Sequence, residues 1–272
     1  MSESISLVIY LLTDAGSAGR FLLPSMPDPV FNEPRLAAIY DALDPDRSDL
    51  DAYVAMVDEF GARDVLDLGC GTGVFAIMLA ECGVRVIGVD PARASVDVAR
   101  GKPGAERVTW IDGDASAIPA DVTVDMVTMT ANVAQVFLND ADWFATLAAV
   151  HAALRPGGRL VFETRDPARR AWEGWTEEAT RSTTNVPGVG PVTDWVQVMD
   201  VVDDGRLVTF DSPNVFEADG TVITSTSTLR FRTQADVEDA LRATGFAVDE
   251  VRDAPDRPGR ELVFVARKLT PS

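Results

Sequence analysis

Three glycines and an acid meet in one stretch of this chain, Val65-Leu66-Asp67-Leu68-Gly69-Cys70-Gly71-Thr72-Gly73-Val74-Phe75. Glycines at a strand-to-helix turn permit backbone geometry that a Cβ would obstruct, and let a ligand lie against the main chain. The helix start beyond them offers N–H groups without intrahelical partners. A phosphate loop would need Gly-Lys-Ser/Thr, which is absent. The dinucleotide pattern G-x-G-x-x-G fails too, because the sixth position counted from Gly69 is Val74. Asp67 would repel a phosphate but suits a cationic ligand. A tight turn without a ligand is the structural alternative.

A second acid, Asp90, closes the next apolar run, Val86 to Val89. In a parallel sheet the two loops open on the same carboxyl edge, where ligands of such sheets bind. A pair of vicinal hydroxyls needs an acceptor with two oxygens, and a carboxylate supplies one. Asp114 follows a third apolar run. Helix capping is the structural alternative for both acids, for Asp90 ahead of Pro91.

These residues need a scaffold, and the sequence patterns one. Leu36, Ile39, Tyr40 and Leu43 are spaced for one helix face, as are Leu50, Tyr53, Val54 and Val57 before Gly61. Strands are predicted at Asp64–Leu68, Val84–Val89, Arg107–Ile111, Val124–Thr130 and Arg159–Thr164. Helices are predicted between them at Val74–Glu81, Arg93–Arg100 and Asp140–Leu154. Short apolar strands alternating with helices argue for a parallel sheet covered on both faces. After Asp166, threonine, serine and valine dominate. Strands are expected at Asp194–Val202, Arg206–Phe210, Asn214–Glu217 and Thr221–Thr233, with hairpin turns at Asp203-Asp204-Gly205 and Asp219-Gly220. A helix over Gln234–Thr244, capped by Thr233 and stopped by Gly245, leads to strands at Phe246–Val251 and Glu261–Arg267.

The composition removes several functions. Of 272 residues, 24 are basic and 43 acidic, a net charge of −19. Nucleic acid and anionic membranes are therefore disfavoured partners. A single histidine, His151, excludes sites built on several histidines, and a structural role is expected for it. Two cysteines, Cys70 and Cys82, form no disulfide framework. Ile5–Leu12 is too short to cross a bilayer. It follows Glu3 without a positive charge, so secretion is not expected. Residues 1–29 read as a loosely attached extension, with Met26 a candidate start of translation. A cytoplasmic location is the expectation.

The ordered motifs resemble the class I S-adenosylmethionine-dependent methyltransferases, in particular the small-molecule enzymes of the methyltransferase domain 25/11-like type. The resemblance implies a Rossmann-like, doubly wound, seven-stranded mostly parallel α/β sheet with an antiparallel β insertion. It divides the chain into a core of residues 30–170 and 232–268, and an insert or lid of 171–231. It assigns Asp67, Gly69, Cys70, Gly71 and Gly73 to the methionine part of the cofactor. It gives the ribose hydroxyls to Asp90, with Pro91 following, and the adenine to Asp114 and the backbone of Ala115. The loop Thr130-Ala131-Asn132 lines the same cofactor, and Tyr40 closes over it. Leu154-Arg155-Pro156-Gly157-Gly158 is similar to the family's turn before strand five.

The implied activity is in-line methyl transfer to a small-molecule acceptor. Glu163 and Arg165, leaving strand five, are the candidates for proton acceptance and acceptor positioning, with Trp172 and Trp175 as pocket walls. Structural ion pairing and aromatic packing are the alternatives for these four. The Asn/Asp-Pro-Pro-aromatic loop of adenine and glutamine methylases is missing, and no metal-ligand set is visible, so no metal is expected. An NAD(P)-dependent oxidoreductase and a non-catalytic S-adenosylmethionine-binding protein are the rival readings. A long edge strand in the insert allows a homodimer.

Overall fold

The computed structural model describes residues 27–270. The expectations for Ile5–Leu12 and Met26 lie outside the described residues. Helices α1 (Pro29–Asn32), α2 (Pro34–Leu43) and α3 (Asp51–Glu59) lead into β1 (Asp64–Leu68). Alternation then runs through α4 (Val74–Glu81), β2 (Arg85–Asp90), α5 (Arg93–Arg100), β3 (Val108–Asp112), β4 (Val124–Met129), α6 (Asp140–Ala153) and β5 (Leu154–Arg165). The short helix α7 (Glu177–Thr180) precedes β6 (Ser182–Val186), β7 (Gly190–Asp194), β8 (Gln197–Val202), β9 (Leu207–Phe216) and β10 (Thr221–Arg230). The chain returns through α8 (Gln234–Ala243), β11 (Phe246–Asp253) and β12 (Glu261–Lys268).

Seven strands form one sheet in the order β11-β12-β5-β4-β1-β2-β3. The five strands from β3 to β5 run parallel, and β12 is antiparallel to both neighbours. The order reverses beside β1, so the crevice beyond its carboxyl end is the switch point where open α/β sheets bind ligands. Alternate strand residues serve two cores. Leu66, Leu160 and Phe162 pack with Trp143, Leu147 and Leu241 of α6 and α8. Val65, Val161 and Val263 pack with Tyr53, Phe75 and Leu79 of α3 and α4. Burial on both faces is why these strands read as continuous apolar runs.

Strand five starts earlier than predicted. Val124 pairs with Leu154 and Met126 with Arg159, so Arg155–Gly158 bulge out between two points of the same ladder. The turn is therefore a loop within the strand. Gly157 adopts φ +78°, which allows it.

The second sheet has order β10-β9-β7-β6, with β8 also on β9. It contains β6 and β7, which the sequence reading left out on either side of Pro187-Gly188. It also joins Arg206–Phe210 and Asn214–Glu217 into one strand, β9, paired with β10 from Leu207 to Phe216. Asp211, Ser212 and Pro213 read as a break. They pair with Thr226, Ser225 and Thr224 of β10, and Thr226 donates to Asp211 across the pair, so cross-strand pairing overrides local turn preference. Helices α1 and α2 bridge the sheets. Leu36 and Ile39 pack on Val186, Val192 and Phe216 of the insert, while the Ser95 hydroxyl of α5 donates to the carbonyl of Phe31 at 2.7 Å.

Candidate active site

Strand β1 carries Asp67 into the interior. Its register partner on β4 is Thr128, whose hydroxyl donates to Asp67 Oδ1 at 3.0 Å. Oδ2 has no partner among the described residues, and Asp67 is 1% exposed. Burial, with a small addition from the nearby Asp90 charge, pushes this carboxyl up to about 7. An acid held in low dielectric without a counter-charge is prepared for a cationic group.

The glycine loop divides into two kinds of position. A Cβ on Gly69 would lie 2.4 Å from the Val133 side chain, and one on Gly73 2.5 Å from Trp110, so these two glycines serve packing. At Gly71, φ is +52° and a Cβ would meet nothing within 4 Å. This is open main chain, as a cradle for a ligand requires. The Gly71 N–H donates to Asp90 Oδ2 at 2.8 Å, and the Ala92 N–H to Asp90 Oδ1 at 2.7 Å. Asp90 thus fastens the loop after β1 to the loop after β2, and each oxygen keeps a further acceptor site. Burial raises its pKa, and the two amides oppose the rise. The Cys70 thiol is buried and pushed well up, first by that burial and then by Asp67 and Asp90, which makes it a space-filling group.

The helix before the core is latched to the same loop. Thr72 donates its hydroxyl to Asp41 at 2.5 Å, and Lys102 pairs with Asp41 at 2.5 Å while donating to the Thr72 carbonyl at 2.6 Å. Asp41 neighbours Tyr40, whose half-buried ring sits 5.8 Å from that of Phe31. Burial raises the Tyr40 pKa, and the Arg47 and Arg165 charges oppose it. Tyr40 therefore lies within the field of Arg165, one of the two acceptor-side candidates.

The loop after β4 holds strain. Ala131 and Asn132 both take positive φ, +55° and +61°, a conformation costing about 1 kcal/mol or more for a residue with a Cβ. It delivers the Asn132 N–H to Glu163 Oε1 at 3.2 Å and Asn132 Nδ2 to Glu261 Oε1 at 3.2 Å. Thr130 is buried beside it. Glu163 on β5 and Glu261 on β12 share a sheet face, because Glu163 pairs with Val263 and Glu261 with Arg165. Both acids are buried. Burial, then the Glu261 charge, push Glu163 up to about 7, against the pull of Arg257. Arg257 bonds Glu261 at 2.7 Å, and Arg165 donates to Gln135 Oε1 at 2.9 Å. Trp175 lies under the Arg165 guanidinium, 5.5 Å from ring centroid to Cζ.

Other candidates lie at the ends of the neighbouring strands or in the insert. Asp114 accepts from the Ser116 N–H at 2.8 Å and the Ser116 hydroxyl at 2.6 Å, capping the short turn Ala115–Ala117. Ala115 is buried, and Pro91 is exposed at the end of β2. Trp172 is buried against Phe231, 4.6 Å between ring centroids, inside the insert, where it serves packing. His151 packs edge-on to Phe246 at 5.2 Å, with its pKa lowered by burial and Lys268, as a structural histidine. Sequence reasoning missed Thr128, Asp41, Lys102, Gln135, Arg257 and Glu261. Glu261 had one signal: an acid opening the otherwise apolar run Leu262–Ala266.

Comparison with known proteins agrees with this geometry. Residues 65–158 match the family model described as a methyltransferase domain. A cypemycin N-terminal methyltransferase from Streptomyces is 38% identical over 117 residues, covering 43% of this chain and 48% of that protein. A demethylmenaquinone methyltransferase from Deinococcus radiodurans is 40% identical over 104 residues, 36% of this chain and 42% of that one. The chain spans about half the length of the curated relatives it matches. Among solved structures, the sugar N-methyltransferase KedS8 from Streptoalloteichus superposes with a TM-score of 0.70 at 20% identity, over 96% of this chain and 100% of that one. The CcbJ methyltransferase from Streptomyces caelestis gives 0.70 at 21% identity, over 86% and 96%. Residues 65–158 thus resemble a methyltransferase domain, and the chain shares the fold of these methyltransferase structures.

Proposed function

We propose that the chain methylates a small-molecule amine, using S-adenosylmethionine as methyl donor in an in-line displacement. The observation that carries the cofactor half is the grouping of Asp67, Gly71 and Asp90: a buried acid with an oxygen unpartnered among the described residues, and an open glycine hydrogen-bonded to a second carboxylate. S-adenosylmethionine supplies a methyl group activated on a sulfonium centre. Asp67 would hold the cationic amino end of the cofactor, the main chain at Gly71 would lie against it, and Asp90 would accept from its ribose hydroxyls. The strained Thr130–Asn132 loop, Pro91, Asp114 and Ala115 complete the cofactor side of the reading.

On the acceptor side, Glu163 would take the proton that the nitrogen releases on methylation. A proton affinity near neutral suits a group that must accept and then return a proton. Arg165, Tyr40 and Trp175 would position the acceptor. An amine is favoured over other acceptors because several relatives are named for amine substrates: the cypemycin N-terminal enzyme, KedS8 and an amino pentose methyltransferase from Micromonospora echinaspora. The insert, residues 171–231, would act as the lid over the core of 30–170 and 232–268.

Nucleic acid and membranes are set aside on the net charge of −19. No helix among the described residues is long and apolar enough to cross a membrane, and a cytoplasmic enzyme is the reading adopted. A homodimer would form through β10, which pairs only with β9 among the described strands.

The test is calorimetry with S-adenosylhomocysteine on the natural protein and on Asp90→Ala. Binding by the natural protein, weakened about a hundredfold or more in the variant, is expected, since the change removes two charge-assisted hydrogen bonds and loosens Gly71. Binding of NADH instead would overturn the reading in favour of an oxidoreductase. Cofactor binding without turnover of any amine would leave a non-catalytic binding protein.

A further inference from the structure

Two acids and two guanidiniums meet at the carboxyl end of β5, and they do not pair evenly. Glu163 and Glu261 are both buried, 4% and 3% exposed. Three nitrogens turn to one oxygen of Glu261. Arg257 Nη1 donates to Oε1 at 2.7 Å, Asn132 Nδ2 donates to it at 3.2 Å, and Arg165 Nε lies 3.8 Å from it. Glu163 accepts the backbone N–H of Asn132 at 3.2 Å. Among the described residues, no guanidinium comes within ion-pair distance of Glu163.

The strands set this arrangement. Glu261 opens β12 opposite Arg165, and Glu163 lies two residues earlier on β5, opposite Val263. Diagonal neighbours of that kind stand about 7–8 Å apart, near enough for one buried charge to act on another. Arg257 comes from the turn before β12, and its Nε is held by Asp256 at 2.8 Å. Arg165 gives Nη1 to Gln135. Both guanidiniums are thus engaged away from Glu163. A buried acid kept only for structure has its oxygens satisfied as a rule. Glu261 Oε2 has no partner among the described residues.

We propose that Glu261 is a positioning residue of the acceptor side: it draws Arg257 and Arg165 to itself and leaves the Glu163 carboxyl without an ion pair, able to take up and release a proton. This rests on the reading of Glu163 as proton acceptor. Glu261 and Asp256 disfavour ionisation of Glu163, while Arg257 and Arg165 favour it. Tyr40 of α2 acts on the group through the field of Arg165. With burial first and Glu261 second, Glu163 is pushed up to about 7. Paired with an arginine instead, it would titrate below the usual carboxylate range and be a weak proton acceptor.

The test is the titration of Glu163 itself, followed by carbon-13 NMR of glutamate side-chain carboxyls in the full chain. The signal is assigned by its loss in Glu163→Gln. In Glu261→Gln the midpoint should fall by about one pH unit or more, since a negative neighbour is lost and the arginines are released. In Arg257→Gln it should rise, since a cation is lost. Opposite signs separate the proposal from loosened packing, which admits water and moves a buried acid down in both variants. Glu261→Asp keeps the charge and should stay closer to the natural midpoint than Glu261→Gln. Should Glu261→Gln fail to fold by circular dichroism, Arg257→Gln decides, because its side chain is 38% exposed. An unchanged or raised midpoint in a folded Glu261→Gln, or an unchanged or lowered one in Arg257→Gln, would overturn the proposal. The titration needs no methyl acceptor. A methylation rate that does not follow the shifted midpoint would overturn the proton-acceptor reading of Glu163, and the NMR shifts tell that failure apart from failure of the proposal.

Discussion

Asp67 and Glu163 lie on the same carboxyl edge and both hold a proton to about pH 7, yet their surroundings differ. Around Asp67 there is a threonine hydroxyl, a second acid and, among the described residues, no cation acting on it. Around Glu163 there is a second acid as well, but Arg257 and Arg165 offset it. On the proposed reading, Asp67 is left short of positive charge that a bound cofactor would bring. On the same reading, Glu163 has cations of its own and would serve proton transfer. One edge of one sheet thus holds two acids whose burial raises their pKa, in surroundings of different charge.

The sharpest way to break this contrast is Glu163→Gln. If Glu163 is the proton acceptor, the methylation rate falls by about a hundredfold or more. The natural enzyme's rate should rise with pH through about 7, as Glu163 loses its proton, and that limb should vanish in the variant. A variant with normal rate and an unchanged pH profile would reduce Glu163 to a structural acid.

A smaller effect is expected in stability. Both acids have folded-state pKa values raised above their unfolded values. The folded protein therefore binds more protons than the unfolded one between about pH 4 and 7. Stability without ligand should fall as pH rises through that window, by roughly 2–4 kcal/mol for each acid. Asp67→Asn should remove about half of that fall in urea melts at pH 5 and pH 8. It should also weaken S-adenosylhomocysteine binding, while Glu163→Gln should remove the other half and leave that binding intact. An unchanged pH dependence in Asp67→Asn would mean that its carboxyl is ionised throughout.

The mildest test is Tyr40→Phe. It keeps the ring on Phe31 and removes the hydroxyl, so melting should be almost unchanged. The Michaelis constant for the acceptor should rise a few-fold if Tyr40 acts with Arg165. An equal loss of cofactor binding would move Tyr40 to the cofactor side, as the family resemblance implied.

How much of this was legible follows the same divide. The glycine loop, Asp90 and the alternation of strands and helices could be read because backbone geometry dictates them. A tight turn demands glycine, and a doubly covered strand demands an apolar run. Gly71 and Asp90, nineteen positions apart, meet because β1 and β2 are adjacent and parallel. The acceptor side was half legible. Glu163 and Arg165 stood at the end of a predicted strand, but Glu261 lies 98 positions beyond Glu163 and joins it only because β12 enters antiparallel beside β5. Cross-strand neighbours of that kind leave no local signal. The insert was least legible, since β9 runs through Asp211 and Pro213, which look like a turn until β10 pairs with them. The two tryptophans were indistinguishable in sequence; both pack on the cluster around Phe231, and Trp175 alone of the two also lies against Arg165.

The bridge made by α2 also has a consequence for synthesis on the ribosome. Leu36 and Ile39 leave the exit tunnel early, but their partner Phe216 follows about 180 residues later. At 5–20 residues per second that is a wait of roughly 10–40 s. Through that interval the apolar face of α2 has no insert to cover it, and the Asp41–Thr72 latch, only 31 residues long in sequence, is available first. The nascent chain can therefore fasten the loop after β1 well before the insert covers α2.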